Sequence, residues 1–193
     1  MDQSHGAVFT NVITPRLLDS LLALARSAQF ESVVTADFGD RAVDGRDRTA
    51  IPFCVALARP QLLSWIQQVG GCQPIATVEG LLARMLPGDI LSWHRDAFHG
   101  VRRLAVVINL SEQPFEGGRF ELRARDTLQP IFAYDHKATG SMMVFRLGPN
   151  LQHRVTPVTA GGPRIVFAGW LRAPIGKDEP RRLPNASGLA MFS

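Results

Sequence analysis

At 193 residues, 46% hydrophobic and 20% charged, the chain has enough length and apolar content for one self-sufficient core, which excludes a disordered or disulfide-dependent chain. No stretch approaches the run of about 18 apolar residues that spans a bilayer, and no basic segment leads into an apolar one, so a cytoplasmic protein with no membrane partner is expected. The formal net charge of +4 comes from basic residues scattered singly or in pairs, a pattern that predicts no nucleic-acid partner and leaves the oligomeric state open.

Thr14-Pro15 followed by Leu17, Leu18, Leu21, Leu22 and Leu24 predicts an amphipathic helix, with Thr14 as its cap and Pro15 in its first turn. Residues 36–50 are rich in Asp, Arg and Gly and read as a surface loop, a candidate lid. Pro60 to Val69 predicts a second helix, stopped by Gly70-Gly71. Cys54 and Cys72 match no zinc or redox spacing and are expected to be reduced and structural.

From Ile75 onward, short apolar runs separated by Gly, Pro, Asn or Asp are the pattern of an antiparallel sandwich or jelly roll. Pro174, Pro180 and Pro184 mark an irregular tail. The expected fold is mainly β (α+β): one domain over residues 1–193, with helical support over about 1–75, a β core over about 76–172 and the tail over 173–193.

The chemistry concentrates in this β region. In an extended strand, residues i and i+2 face one way, so His94 and Asp96 can share a metal while Arg95 faces elsewhere, and His153 is the distant third ligand. Two imidazoles and one carboxylate suit non-haem Fe(II) with coordination positions left open. The surrounding segments follow in order. Arg103 to Leu110 reads as a buried strand, Phe115-Glu116-Gly117-Gly118-Arg119-Phe120 as a glycine turn feeding an alternating strand, and Gly140 to Phe145 as another turn and strand. His153-Arg154-Val155 and Gly161-Gly162-Pro163-Arg164 come next.

In this order, residues 80 to 172 resemble the prolyl 4-hydroxylase-like branch of the Fe(II)/2-oxoglutarate-dependent dioxygenases. The resemblance implies a double-stranded β-helix with N-terminal helical support. It also implies Fe(II) on His94, Asp96 and His153, 2-oxoglutarate as co-substrate, and ascorbate admitted as a further cofactor. The reaction would be hydroxylation of an unactivated C–H bond in a peptidyl residue, amino acid or small metabolite, with release of succinate and carbon dioxide. Arg164 then suits the far carboxylate of 2-oxoglutarate, because a planar guanidinium holds a carboxylate through two parallel hydrogen bonds. On this reading one strand carries His153 and the next carries Arg164, with Gly161-Gly162-Pro163 as the turn between them.

Arg84 stands where relatives often have a tyrosine that contacts the co-substrate, and is a second candidate cation for it. Arg103 is the candidate substrate contact, against a strand-edge salt bridge. His99 is left outside the triad as a loop histidine, and Trp93 and Trp170 are read as packing residues. Asp96 separates the chain from related halogenases, which have a small residue at that position.

Two further readings are carried. One is a non-catalytic jelly-roll module that binds metal and carboxylate; the other is a cupin-like metalloenzyme that does not use 2-oxoglutarate. His94-Arg95-Asp96 also spells the catalytic tripeptide of protein kinases, but the chain has neither a glycine-rich phosphate loop nor Asp-Phe-Gly, which rejects that reading.

Overall fold

The computed structural model describes residues 5–35, 39–45, 47–72, 74–96 and 101–174. In chain order, β1 (Gly6–Phe9) precedes helix α1 (Pro15–Ser27), which precedes β2 (Phe30–Thr35) and β3 (Gly39–Asp44). A single 3-10 turn, α2 (Ile51–Leu57) and α3 (Pro60–Gly70) follow. The β region runs through β4 (Thr77–Met85), β5 (Leu91–His94), β6 (Arg102–Asn109), β7 (Phe115–Gly117), β8 (Phe120–Ala124) and β9 (Phe132–Tyr134). It closes with β10 (Met142–Arg146), β11 (Leu151–Val155), β12 (Val158–Gly161) and β13 (Arg164–Arg172).

These strands form a seven-stranded sheet in the order β1-β10-β6-β13-β4-β3-β2, a four-stranded sheet β5-β11-β8-β9, and the pair β12-β7. The alternation of side chains explains the layering. On β6, Leu104, Val106 and Ile108 join Leu82 of β4 and Phe167 and Leu171 of β13 in a core against the helices. Ala105 of the same strand joins Met85, Phe120, Leu122, Met143 and Phe145 in a second core between the two sheets. Phe53 of α2 stacks on Phe167 at 4.9 Å between ring centroids, fixing the helical layer on the large sheet.

The helices at Pro15 and Pro60 form as expected, and Gly71 closes α3 in the left-handed conformation at φ 55°. The Thr14 side chain makes no capping bond; α1 starts on the pre-set φ of Pro15 and on the packing of Leu21, Leu22 and Ala25.

Two expectations are corrected. The segment at 36–50 is not a loop throughout: Gly39–Asp44 is a strand paired with both β2 and β4, so sheet pairing overrides its polar composition. The first 75 residues are not only helical, since β1, β2 and β3 extend the large sheet at its two ends. The tail beyond residue 174, like His99, lies outside the described residues. Among the described residues, no helix is long and apolar enough to cross a membrane.

Candidate active site

His94 and His153 are direct cross-strand partners on β5 and β11. In an antiparallel pair this puts both side chains on one face, and the two imidazole centroids lie 4.1 Å apart. The Nδ1 of His94 lies 2.7 Å from the Ser92 carbonyl oxygen. A carbonyl only accepts, so Nδ1 carries the proton and Nε2 keeps a lone pair for a metal. Burial, reinforced by the neighbouring His153, pushes the His94 pKa down to about 4, which holds the ring in the neutral form a ligand requires.

Asp96 completes the group in a way that strand periodicity alone does not explain. β5 ends at His94, and Asp96 lies just beyond the strand. Its carboxylate is fixed from the opposite sheet, where the Trp170 indole N–H donates to Oδ2 at 2.7 Å. The same oxygen is 3.4 Å from Nε2 of His153, and Oδ1 is 3.9 Å from Nε2 of His94. Burial alone would raise the Asp96 pKa. The hydrogen bond with His153, the two imidazoles and the Trp170 N–H outweigh it and hold the group well below the usual carboxylate range. Trp170, read from the sequence as packing, is therefore a positioning residue.

Ligand atoms from the three residues all lie within 4.8 Å of one another. Donors about 2 Å from a shared metal sit roughly 3 Å apart in a facial arrangement, so small rotations of these side chains reach it. The donor set fits a ferrous ion.

The triad opens into a cavity of about 100 Å³ between the sheets, walled by apolar side chains including Leu81, Ala83, Val107, Phe120 and Phe145. Arg164, the first residue of β13, also lines it. The residue is 3% exposed, and its Nη1 donates to the Met85 sulfur at 3.6 Å. Among the described residues Nε has no hydrogen-bond partner, and burial lowers the pKa to about 10. A buried cation without an acid is costly unless a ligand supplies one, and a carboxylate fits the fork of donors. Gly118 makes room for this side chain: at φ +63°, a Cβ added there would lie 2.9 Å from Arg164 Cδ.

The link between His153 and Arg164 differs from the expected single turn. The short strand β12 intervenes and pairs with β7, so Gly161-Gly162-Pro163 joins β12 to β13. His153 and Arg164 consequently sit in opposed sheets and meet across the cavity.

Arg84 is not brought to the cavity. It is the register partner of Ile165 and Ala42, on the opposite face of β4 from the cavity-lining Ala83 and Met85, and its guanidinium lies over the Phe30 ring at 5.0 Å. Strand parity corrects the expectation that it serves the co-substrate. Arg103 is exposed at the start of β6 and does not line the cavity. A register shift there pairs Arg102 with Arg172 and turns Arg102 over the Trp170 ring at 4.2 Å, while its Nη2 meets Glu79 at 2.7 Å. Sequence reasoning missed Arg41, which lines the cavity from β3. Its signal was hidden in the polar segment at 36–50.

Residues 80–172 match the model of the 2OG-Fe(II) oxygenase superfamily. No curated protein matches the chain. Among solved structures, an oxidoreductase of the 2OG-Fe(II) oxygenase family from Burkholderia pseudomallei aligns with TM-score 0.69 at 18% identity, covering 87% of this chain and 85% of that one. A prolyl-4-hydroxylase from Pseudomonas putida aligns with TM-score 0.68 at 21% identity, covering 88% and 93%. A prolyl hydroxylase from Trichoplax adhaerens, solved with a hypoxia inducible factor peptide fragment, aligns with TM-score 0.65 at 17% identity, covering 88% and 84%. At these identities the likeness carries the fold, while the family model and the His94, Asp96, His153 constellation carry the assignment: residues 80–172 form a 2OG-Fe(II) oxygenase domain.

Proposed function

We propose that the protein is a hydroxylase of a peptidyl residue, amino acid or small metabolite, with 2-oxoglutarate held between the metal triad and Arg164. The single observation that carries this reading is the buried Arg164 guanidinium, which faces the same cavity as the three metal ligands and has no acidic partner among the described residues.

Fe(II) with 2-oxoglutarate supplies the oxidising power: one atom of dioxygen converts substrate C–H to C–OH, and the other enters succinate as carbon dioxide leaves. The chain's own residues position and shield. His94, Asp96 and His153 would hold the metal beside the cavity that all three line. Arg164 fixes the far carboxylate of the co-substrate and thereby orients its 2-oxo acid end toward the triad. Phe120, Phe145 and Val107 keep water out of the space between. The Trp170 hydrogen bond keeps Asp96 from swinging away when its neighbours move.

The prolyl hydroxylase likenesses support a peptidyl substrate, and the compact domain is equally suited to a small one. The test is succinate formation and oxygen uptake with added Fe(II) and 2-oxoglutarate. Both are expected. A protein that binds iron and 2-oxoglutarate but produces neither would be a binding module instead, and iron binding without 2-oxoglutarate binding would point to a cupin-like enzyme.

A further inference from the structure

Arg41 is the second cation that lines the cavity, and it enters from a different direction than Arg164. On β3, Val43 is the register partner of the cavity-lining Ala83, so Arg41, two residues earlier, shares the inward face. The backbone before it is pressed onto the segment that leads into β5. A Cβ added at Gly39, whose φ is +89°, would lie 2.4 Å from the Ile90 carbonyl oxygen. The close approach carries Arg41 across to the strand that bears His94.

Among the described residues, no carboxylate forms a salt bridge with Arg41; the acid whose charge it feels is Asp96, a metal ligand. The residue is half-buried, and that burial lowers its pKa. The charge balance then becomes informative. Fe(II), Asp96, Arg164 and a dianionic 2-oxoglutarate together sum to zero. Arg41 adds one positive charge to a largely apolar cavity, and a fourth carboxylate, beyond Asp96 and the two of 2-oxoglutarate, would neutralise it.

We infer that Arg41 is the substrate clamp, and that the substrate is a carboxylic acid whose carboxylate docks on this guanidinium while its apolar C–H-bearing part lies beside the triad. The inference rests on the hydroxylase reading above and names its substrate class. The remaining wall near Arg41 and the triad, with Leu91, Val155 and Ala168, suits the aliphatic body of such an acid.

The test uses a set of small aliphatic and amino acids paired with their primary amides. Each compound is offered to the wild-type protein with Fe(II), 2-oxoglutarate and air. Succinate release above the substrate-free rate and the gain of one oxygen in the compound are followed. Binding is measured in parallel by calorimetry on protein loaded with Mn(II) and 2-oxoglutarate, which does not depend on turnover. Acids are expected to bind and stimulate, and their amides are not. Arg41→Gln should raise both KM and Kd for a stimulating acid by about 10- to 100-fold, the loss of one charge-assisted hydrogen-bonded contact. Arg41→Lys, which keeps the charge but not the fork, should recover part of the loss. Both variants should still bind Mn(II) and 2-oxoglutarate, which also reports that they are folded. Amides that bind as well as acids, no binding acid at all, or an Arg41→Gln Kd equal to wild type would each overturn the inference. A wild-type protein that does not bind 2-oxoglutarate would overturn the hydroxylase reading together with it.

Discussion

The indole N–H of Trp170 donates to Oδ2 of Asp96 across 2.7 Å, tying a metal ligand that follows the last residue of β5 to a central strand of the opposite sheet. Trp170→Phe keeps an aromatic ring for Arg102 to stack on and removes only the donor. Metal affinity, measured by calorimetry with Mn(II), is expected to fall by about 10- to 100-fold, the usual effect of losing a hydrogen bond that orients a ligand. The circular dichroism spectrum should be unchanged. An unaltered metal affinity would show that Asp96 needs no such support.

Arg164 should trade stability for binding. Replacing a buried, unpaired cation by an apolar side chain of similar length relieves desolvation, so Arg164→Met is expected to unfold at higher denaturant, with a gain of about 1 to 3 kcal/mol. The same variant should lose measurable 2-oxoglutarate binding while still taking up metal. Titration of 2-oxoglutarate into wild type and variant, beside urea melts of each, reads both effects. A destabilised variant would mean that Arg164 serves the fold rather than a ligand.

Gly118→Ala acts on the same side chain from the other direction. A Cβ there meets Arg164 Cδ at 2.9 Å in a backbone conformation that L side chains rarely adopt. A cost of about 1 to 3 kcal/mol is expected from the backbone alone, together with weaker 2-oxoglutarate binding as the guanidinium is displaced. Thermal melts and co-substrate titration test this pair of effects.

His136 gives the fold a pH dependence outside the metal triad. It is 1% exposed, its Nε2–H donates to the Ser141 carbonyl at 3.1 Å, and Nδ1 has no partner among the described residues. Burial, with the nearby Arg164 charge added, lowers its pKa from 6.5 to about 4. The unfolded chain therefore binds a proton between these values that the folded chain refuses. Stability from this group is intact above pH 6.5 and declines as pH falls toward 4, by about 3 kcal/mol at the lower limit. Comparing urea midpoints at pH 7 and pH 5 for wild type and His136→Gln should show a smaller acid loss in the variant. Equal losses would place the pH sensitivity elsewhere.

The fold and the metal ligands were legible because both depend on local signals. Pro15 and Pro60 start helices by fixing φ, Gly71 stops one by accepting a positive φ, and alternating apolar residues mark the strands of both sheets. His94, Asp96 and His153 follow a spacing that a sequence displays directly. What remained hidden depends on partners far along the chain. Arg41 reads as part of a polar loop until β2 and β4 pair with its strand. Arg84 and Ile165 share a register position, which sends Arg84 to the helical side, and only the register shift at the start of β6 distinguishes Arg102 from Arg103. The role of Trp170 requires knowing that β13 and the end of β5 oppose one another.

Because two donors belong to the small sheet and the third is anchored to the large one, a bound ion would act as a rivet through both leaves of the sandwich. Stripping it with a chelator should let the leaves breathe at that end first. Amide hydrogen exchange is expected to quicken along β5 and β11, while β6 and β13, seated against the helical layer, keep their protection.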